Sequence, residues 1–421
     1  MYTVSIVGSG PAGLFAALEL ERLGVKEIAV FDSTKYSSGG LYNDGKLNFD
    51  SRIGLDLDSL QLTSQDADCL IEDVRGYFTS SPLCKQVTDA SDPKIVDWIE
   101  VAKRHGVDLI APTQYHYGSD NAKAVIQSLT SRLRNTTFFL NHQVNTIDDS
   151  LLDSKVVLVC PGRAGAFWLK EVADKLGVQY TFGPIDIGIR VELRKEIMHS
   201  LTDVIYDPKF LLHTKRHNDR VRTFCTNPGG RVRIETHNGY KLVNGDSLSG
   251  HKTENTNFAL LTTLNLTEPF SDSIEFSRMV AQLFYLLGGG KPIVQRIGNF
   301  REGHRSSSKT FNSSAMHFDY CAPSCNCTPG DISLAFPARI MDNLWESLKT
   351  LDKIVPGILH PSTLMYAPEI KTGNLKYVTD KQETTKERLF VAGDGAGQSR
   401  GIVGAAVSGI TAARRIAEKY L

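Results

Sequence analysis

Gly8-Ser9-Gly10-Pro11-Ala12-Gly13 lies directly behind the β-branched run Thr3–Val7, and a second apolar run, Glu27–Phe31, ends on Asp32. Glycines at this spacing turn a buried strand into a helix and leave the first helix amides bare. Bare amides at the positive end of a helix dipole attract an anion such as a pyrophosphate. The glycines divide the work. Gly8 permits the tight turn, Gly10 the close approach of the phosphates, and Gly13 the close packing of helix on strand. Ser9, Pro11 and Ala12 ride on the same turn. Asp32, with Ser33 behind it, stands where an acid accepts hydrogen bonds from a ribose diol. The chemistry this predicts is dinucleotide binding.

The far end of the chain carries a second constellation. The strand Arg388–Ala392 runs into Gly393-Asp394-Gly395-Ala396-Gly397, then Gln398-Ser399-Arg400-Gly401-Ile402-Val403-Gly404 and a helix to about Lys419. The pairing of an N-terminal dinucleotide fingerprint with a C-terminal Gly-Asp and glycine-rich helix resembles flavoproteins of the glutathione-reductase-like fold. The resemblance implies that Asp394 holds the ribityl chain and flavin-side phosphate. It also implies that Gly401, Ile402 and Val403 bring a helix N-terminus to the flavin N1–C2=O edge, where reduction places negative charge. Gly401 and Gly404 would keep side chains clear of the ring. NAD is the rival ligand for the first fingerprint, but the C-terminal element has no role in an NAD site. Pro161–Gly165 and Gly288–Gly290 lack the spacing of a second fingerprint. The expected cofactor is therefore a single FAD.

The elements that must position these residues are read from periodicity. Leu14, Ala17 and Leu18 share one helical face, with a stop at Gly24. Further helices are predicted over Asp66–Phe78 and Lys94–His105, from a Ser119 cap over Asp120–Arg134, and after Cys160–Gly165 to Leu176. Strands are predicted at Thr137–Leu140, Gln143–Ile147 and Val156–Val159. From about Gly183 the pattern becomes strand-rich, at Ile185–Val191, Arg220–Phe224, Gly230–Thr236 and Phe258–Leu266, with helices over Phe270–Leu287 and Asp342–Leu351. The expected fold class is α/β: a discontinuous FAD-binding Rossmann-like domain over 1–182 and 371–421, and an inserted α+β substrate domain with an antiparallel sheet over 183–370. That inserted segment is expected to cover the flavin ring and supply the substrate pocket.

Composition narrows the function classes. Lys+Arg and Asp+Glu both number 47, which argues against a basic nucleic-acid-binding surface. No apolar run approaches the roughly 18 residues of a membrane span. With the first strand beginning by Thr3 there is no room for a signal peptide. Seven cysteines are too few and too odd in number for a disulfide scaffold, so a cytoplasmic, reducing setting is expected.

Most of the chain resembles the bacterial and archaeal FAD-dependent dehydrogenases of unknown substrate, within the p-hydroxybenzoate-hydroxylase-like branch of flavoproteins. The resemblance rests on Gly39-Gly40 with Asn43–Lys46, Gly118-Ser-Asp120, Pro161-Gly-Arg163 and Ile187–Val191. It continues through Phe224–Gly230, Val243–Asp246, Asn255–Asn257, Gly288–Gly290 before Gly298–Phe300, and Thr328–Asp331. It implies that Gly39, Gly40 and Lys46 lie beside the pyrophosphate and flavin, that Val144 offers its backbone to the adenine, and that Cys160, Gly162 and Arg163 touch the adenosine side.

Cys321, Cys325 and Cys327, with His317, depart from the family pattern. They could be free thiols in a loop, a metal site of unusual spacing, or redox-active thiols. Arg301, His304, Arg305, His317 and Tyr320 are the candidate acid–base groups, against the alternative of a solvated charged loop. The favoured activity is hydride transfer between a small organic substrate and flavin N5, with NAD(P)H or a protein electron carrier as electron partner. A flavin monooxygenase and a non-catalytic FAD-binding protein are the alternatives.

Overall fold

The computed structural model describes residues 2–35, 44–147, 154–237, 239–311, 320–371 and 375–421. Gly39, Gly40 and His317 lie outside the described residues. The chain forms two compact units: Met1–Gln86 with Tyr115–Gly183 and Gly373–Leu421, and Val87–Gln114 with Pro184–Thr372. The stretch 87–114, expected in the nucleotide-binding domain, belongs instead to the second unit. Its strand Asp108–Ile110 pairs with Lys209–His213, and Ile95, Ala102, Val107 and Leu109 join that unit's core.

The first unit is built on a seven-stranded sheet whose five longer members are parallel. Their order is Leu389–Val391, Val156–Val159, Val4–Val7, Ile28–Phe31, Thr136–Phe139. Val4–Val7 and Val156–Val159 are buried along their whole length, as the unbroken β-branched runs require of strands covered on both faces. The helices Pro11–Arg22 and Gly401–Tyr420 pack against one another, and glycine makes the approach possible. A Cβ on Gly13 would sit 1.9 Å from the Gly8 carbonyl oxygen, and one on Gly409 would sit 2.0 Å from that of Ala12.

Two predicted elements are corrected. The helix expected behind a Ser119 cap is Ala122–Thr130; its N-cap is Asn121, and no side chain caps it. Gln143–Ile147 is not a strand. Asn141 takes φ +53, and the amides of Asn141 and His142 donate to Thr34 and Asp32 at 2.9 and 2.8 Å. The backbone bonds that would have extended a ladder are thus spent on the loop behind Ile28–Phe31.

The second unit is an eight-stranded, almost wholly antiparallel sheet. Its order is Thr328–Pro329, Ile293–Arg296, Leu364–Lys371, Ile185–Arg194, Asn255–Leu264, Arg220–Pro228, Lys209–His213, Asp108–Ile110. Ile185–Arg194 alternates without a fault. Ile185, Ile187, Ile189, Val191 and Leu193 join the apolar core with residues of the helices Ser273–Leu287 and Ala338–Ile354. Asp186, Arg190 and Glu192 occupy the other face, as the period of two dictates. Both helices differ from their predicted bounds. Asp272, accepting from the amides of Ile274 and Glu275, starts the first later than Phe270, and the second is longer at both ends. The strand Leu364–Lys371 escaped prediction because Pro368 reads as a breaker. In the sheet it falls where the register against Ile185–Arg194 slips between Gly188 and Arg190, a bulge that tolerates a missing N–H.

Gly8 ties these constraints together. Its φ is +101, and a Cβ there would meet the Cys160 carbonyl oxygen at 2.1 Å. Gly8→Ala should lose about 1–3 kcal/mol from backbone conformation alone, and more from forcing the two central strands apart. Urea unfolding measures the loss, and a variant as stable as the wild type would contradict the close approach.

Candidate functional site

The first unit gathers its functional residues at the carboxyl ends of the parallel strands, where open α/β sheets bind ligands. Val7 ends in the Gly8 turn, Phe31 in Asp32, Val159 in Cys160 and Val391 in the Gly393 loop. The Cys160 amide donates to Val7 at 2.7 Å, and burial pushes its thiol pKa up, so this side chain is an inert part of the wall. Gly10 is the N-cap of the first helix and Pro11 its first residue, and no side chain caps it. The helix Gly401–Tyr420 likewise starts behind Arg400 without a side-chain cap, with Ile402 and Val403 buried in its first turn. Two helix starts on one set of strand ends, neither capped by its own N-cap side chain, are the donors that a dinucleotide's phosphates and ring carbonyl call for. Behind them, Leu14, Phe15, Phe78, Tyr117 and Ile402 line a small apolar cleft, and a dry wall strengthens the field of the amides.

Asp32 has a second role that the sequence did not show. Its Oδ2 accepts from the Ser9 amide at 2.9 Å and from the Ser9 hydroxyl at 2.6 Å, while Oδ1 accepts from the amide and hydroxyl of Thr34 at 2.9 and 2.6 Å. The carboxylate therefore pins the fingerprint turn to the end of the second strand. Ser33, next to it, is exposed.

Asp394 stands at the start of the last helix. Its Oδ2 accepts from the Gly401 amide at 3.2 Å, its Oδ1 from the Ser399 hydroxyl at 2.8 Å, and the Arg163 guanidinium lies 4.0 Å away. Burial raises its pKa, against the pull of Arg163 and Arg400. Gly393 and Gly162 hold φ of +82 and +64, and a Cβ on Gly395 would meet the Gly162 carbonyl oxygen at 2.3 Å, so the two loops lie backbone to backbone. Gly401 has φ +80 and open space where a Cβ would go. Gly404 differs from expectation: its missing side chain makes way for the carbonyl of Gly54, 2.0 Å from the ideal Cβ, not for a ligand. Lys46 is buried and paired with Asp44 at 3.0 Å, and Val144 is buried beyond the last strand.

The second unit holds a set of buried charges that sequence reasoning missed. On the polar face of Ile185–Arg194, Arg190 forms a two-pronged pair with Glu369 at 2.6 and 2.7 Å, and Lys371 adds to that carboxylate at 2.8 Å. Neither Arg190 nor Glu369 has any exposed surface. Arg190 also donates to Asn257 Oδ1 at 2.8 Å and to the Cys225 carbonyl at 3.1 Å. Burial alone would raise the Glu369 pKa, but the two cations hold it below the usual carboxylate range. Glu192, two residues along the same face, meets no cation. Its Oε2 accepts from the Tyr366 hydroxyl at 2.6 Å and the Ser324 amide at 3.2 Å, its Oε1 has no partner within hydrogen-bonding distance, and burial raises its pKa. The signal for this face was present: Asp186, Arg190, Glu192 and Arg194 alternate with apolar residues along one strand.

The acid–base residues picked from sequence fare differently. Arg301, His304 and Arg305 are exposed. His304 lies 3.3 Å from Glu302, and Arg305 reaches the Pro329 carbonyl at 3.4 Å, the arrangement of a solvated charged loop. Tyr320 donates to the Phe311 carbonyl at 3.1 Å and lies under the Arg296 guanidinium, 4.1 Å from the ring centre. The cysteines do not converge. Cys321 points to the Glu192 carbonyl at 3.6 Å, while Cys325 and Cys327 face each other. Among the described residues no group of three or more His, Cys, Asp or Glu side chains could hold a metal ion.

Residues 1–39 match the family described as an FAD binding domain, and residues 184–372 match the family described as FAD-dependent protein, C-terminal domain-like. An uncharacterised protein of Clostridium beijerinckii is 25% identical over 456 aligned positions, covering 99% of this chain and 80% of the relative. Among solved structures, glycine oxidase from Geobacillus kaustophilus aligns at 14% identity over 100% of this chain and 95% of its own, with a TM-score of 0.41. The p-nitrophenol 4-monooxygenase PnpA from Pseudomonas putida DLL-E4 aligns at 13% identity over 99% and 79%, with a TM-score of 0.37. The cofactor is FAD, and the fold is an FAD-binding Rossmann-like sheet plus an antiparallel-sheet domain. Among the described residues no helix is long and apolar enough to cross a membrane.

Two outcomes are expected. Asp32→Ala leaves the amides of Ser9 and Thr34 without their acceptor and removes the carboxylate from the nucleotide end. Losing a hydrogen bond to a charged group costs about 1.5–3 kcal/mol, so FAD should bind the apoprotein roughly 10- to 150-fold more weakly. Fluorescence titration with FAD reads this, and unchanged affinity would remove Asp32 from the site.

The second concerns Glu192. Its folded pKa is raised, so its contribution to stability is full below the unfolded carboxylate range and is lost as pH rises through the folded value. Glu192→Gln keeps the neutral form at every pH. Its melting temperature should match the wild type in acid and exceed it by a margin that grows as pH rises above the unfolded range. A margin of the opposite sign would mean that the site stabilises the anion.

Proposed function

We propose that the chain is an FAD-dependent dehydrogenase or reductase that passes a hydride between a small organic substrate and the flavin. FAD, when bound, supplies two-electron chemistry at N5. Pro11 and Ala12, on the first uncapped helix start, would receive the phosphates. Asp32 would hold the ribose end through its grip on Ser9. Asp394 and the Gly401–Val403 turn would hold the ribityl and ring end. Gly39, Gly40, Lys46, Val144, Cys160, Gly162 and Arg163 complete the proposed cofactor set.

The observation that favours an enzyme over a protein that merely stores flavin is Glu192. Hydride transfer leaves a proton to be given or taken, and a group doing so near neutrality needs a pKa moved from its ordinary value. Glu192 is a carboxyl raised by burial, oriented by Tyr366 and set two residues along the strand from the fixed charge of Arg190. Its Oε1 is left free to exchange a proton. NAD(P)H or a protein electron carrier would serve as the second electron partner.

The test is an anaerobic screen of small polar substrates against the FAD-loaded protein, read by loss of the flavin's visible absorbance. Bleaching by one substrate class without oxygen is the expected result, and Glu192→Gln should slow it roughly a hundredfold or more while the FAD content stays unchanged. Bleaching by NAD(P)H alone, with oxygen then consumed to hydroxylate the substrate, would establish a monooxygenase instead. A flavin that no substrate or reductant bleaches would leave a non-catalytic FAD-binding protein.

A further inference from the structure

Cys325-Asn326-Cys327 sits in the second unit immediately before the edge strand Thr328–Pro329. The tripeptide is folded back on itself, with the Cys327 amide donating to the Cys325 carbonyl at 3.0 Å. The turn brings the two sulfurs to 3.6 Å, and the Cys327 thiol donates to the Cys325 sulfur. A covalent bond between them needs a closure of about 1.5 Å, within reach of side-chain rotation. The two thiols are also unequal. Cys325 is half-exposed, beside an exposed Asn326 whose side chain accepts from Lys291 Nζ at 3.3 Å, while Cys327 is buried.

Cys321, the third member of the cluster, is fully buried and committed to the Glu192 carbonyl, so it does not compete. Among the described residues the exposed thiol is Cys69, on the helix Ser64–Thr79 in the first unit.

We propose that Cys325 and Cys327 form a thiol–disulfide exchange site that takes low-molecular-weight disulfides, with Cys325 as the attacking sulfur and Cys327 as the resolving one. The Cys325 thiolate attacks one sulfur of RS–SR. A Cys325–S–SR bond forms, the RS–SR bond breaks, and the departing thiolate leaves as RSH after taking a proton. Cys327 then loses its proton and attacks the Cys325 sulfur. The Cys325–Cys327 bond forms and the second RS⁻ leaves as RSH. Two protein thiols have been oxidised and one small disulfide reduced to two thiols, with no other oxidant required.

The asymmetry of the pair supports this order. The hydrogen bond from Cys327 lowers the Cys325 pKa, and the same contact and burial raise that of Cys327. A disulfide across a single intervening residue is strained, the kind that forms and reopens rather than one that staples a fold.

The experiment uses the reduced full-length protein with FAD bound, incubated with oxidised glutathione, quenched with an alkylating agent and digested without reduction. In the wild type the peptide carrying Cys325 and Cys327 should lose two hydrogens in mass and resist alkylation, with two glutathione thiols released per chain beyond the one that Cys69 releases. Cys327→Ser should stop at one glutathione attached to Cys325. Cys325→Ser should leave this peptide unmodified. Cys69 should give only a mixed disulfide in all three proteins, which shows that the reagent is active. Two free, alkylated thiols in the wild-type peptide would overturn the proposal. A glutathione adduct that persists on wild-type Cys325, or attack that begins at Cys327 in the Cys325→Ser protein, would overturn the assigned roles.

Discussion

Backbone approaches too close for any Cβ shape the ligand end of the first unit. The carbonyl of Gly8 lies against Gly13, that of Cys160 against Gly8, that of Gly162 against Gly395, and that of Ala12 against Gly409. Each contact replaces a side chain with a backbone surface. Together they pull two helices and two loops onto the ends of Val4–Val7 and Val156–Val159. The first helix starts without any capping side chain, while at the second the Asp394 carboxylate takes the Gly401 amide. The anion site is thus a consequence of the packing, and the packing follows from glycine.

The second unit solves a different problem. Its central strand buries both faces, so the polar face must satisfy itself. Arg190 and Lys371 share Glu369, and Asn257 and the Cys225 carbonyl take the remaining guanidinium donors. A buried charge left unpaired costs several kcal/mol, and Glu235, which Lys371 also faces, adds a second carboxylate to the cluster. Gly245 belongs to the same solution, since a Cβ there would lie 2.3 Å from the Arg190 guanidinium. Glu192 has Tyr366, Ser324 and the Asn255 side chain for neighbours and no cation among them, so burial raises its pKa. Two carboxyls on one sheet face are driven in opposite directions by what stands beside them.

The parts of this protein that were legible in the sequence are those where a local pattern is itself the cause. Gly8–Gly13 and Gly393–Gly401 dictate their turns, and the run Val156–Val159 can only be a buried strand. Helix faces such as Leu70, Val74 and Phe78 carry their own period. What was not legible depends on partners distant in the chain. The stretch 87–114 reads as helix and strand, but nothing in it says that its strand pairs with Lys209–His213, a hundred residues on. Glu369 looks like an ordinary strand residue until the register sets it beside Arg190. The exposed His304 looked like chemistry because histidine titrates near neutrality, yet a residue type carries no information about its solvation. Alternation along Ile185–Arg194 was the one clue to the buried face, and a strand-rich reading without its phase passed over it.

The field at the ligand end of the first unit decides which cofactor that unit suits. A bare helix start is a partial positive charge that water solvates well and a dry wall does not. The wall behind the amides is Leu14, Phe15, Phe78 and Ile402, so the field points outward with nothing apolar able to answer it. Asp394 answers part of it at Gly401, where burial raises its pKa against the pull of Arg163, Arg400 and the Gly401 amide. Glycine spacing at Gly8–Gly13 leaves the other helix start without any carboxylate of its own, since Asp32 is held by Ser9 and Thr34. A doubly charged pyrophosphate there would neutralise that end, and in the proposed site Asp394 would take the ribityl side. NAD would satisfy the first helix and leave the second unanswered. In the proposed site, the second helix start with Asp394 before it would be what favours a flavin dinucleotide over a nicotinamide one.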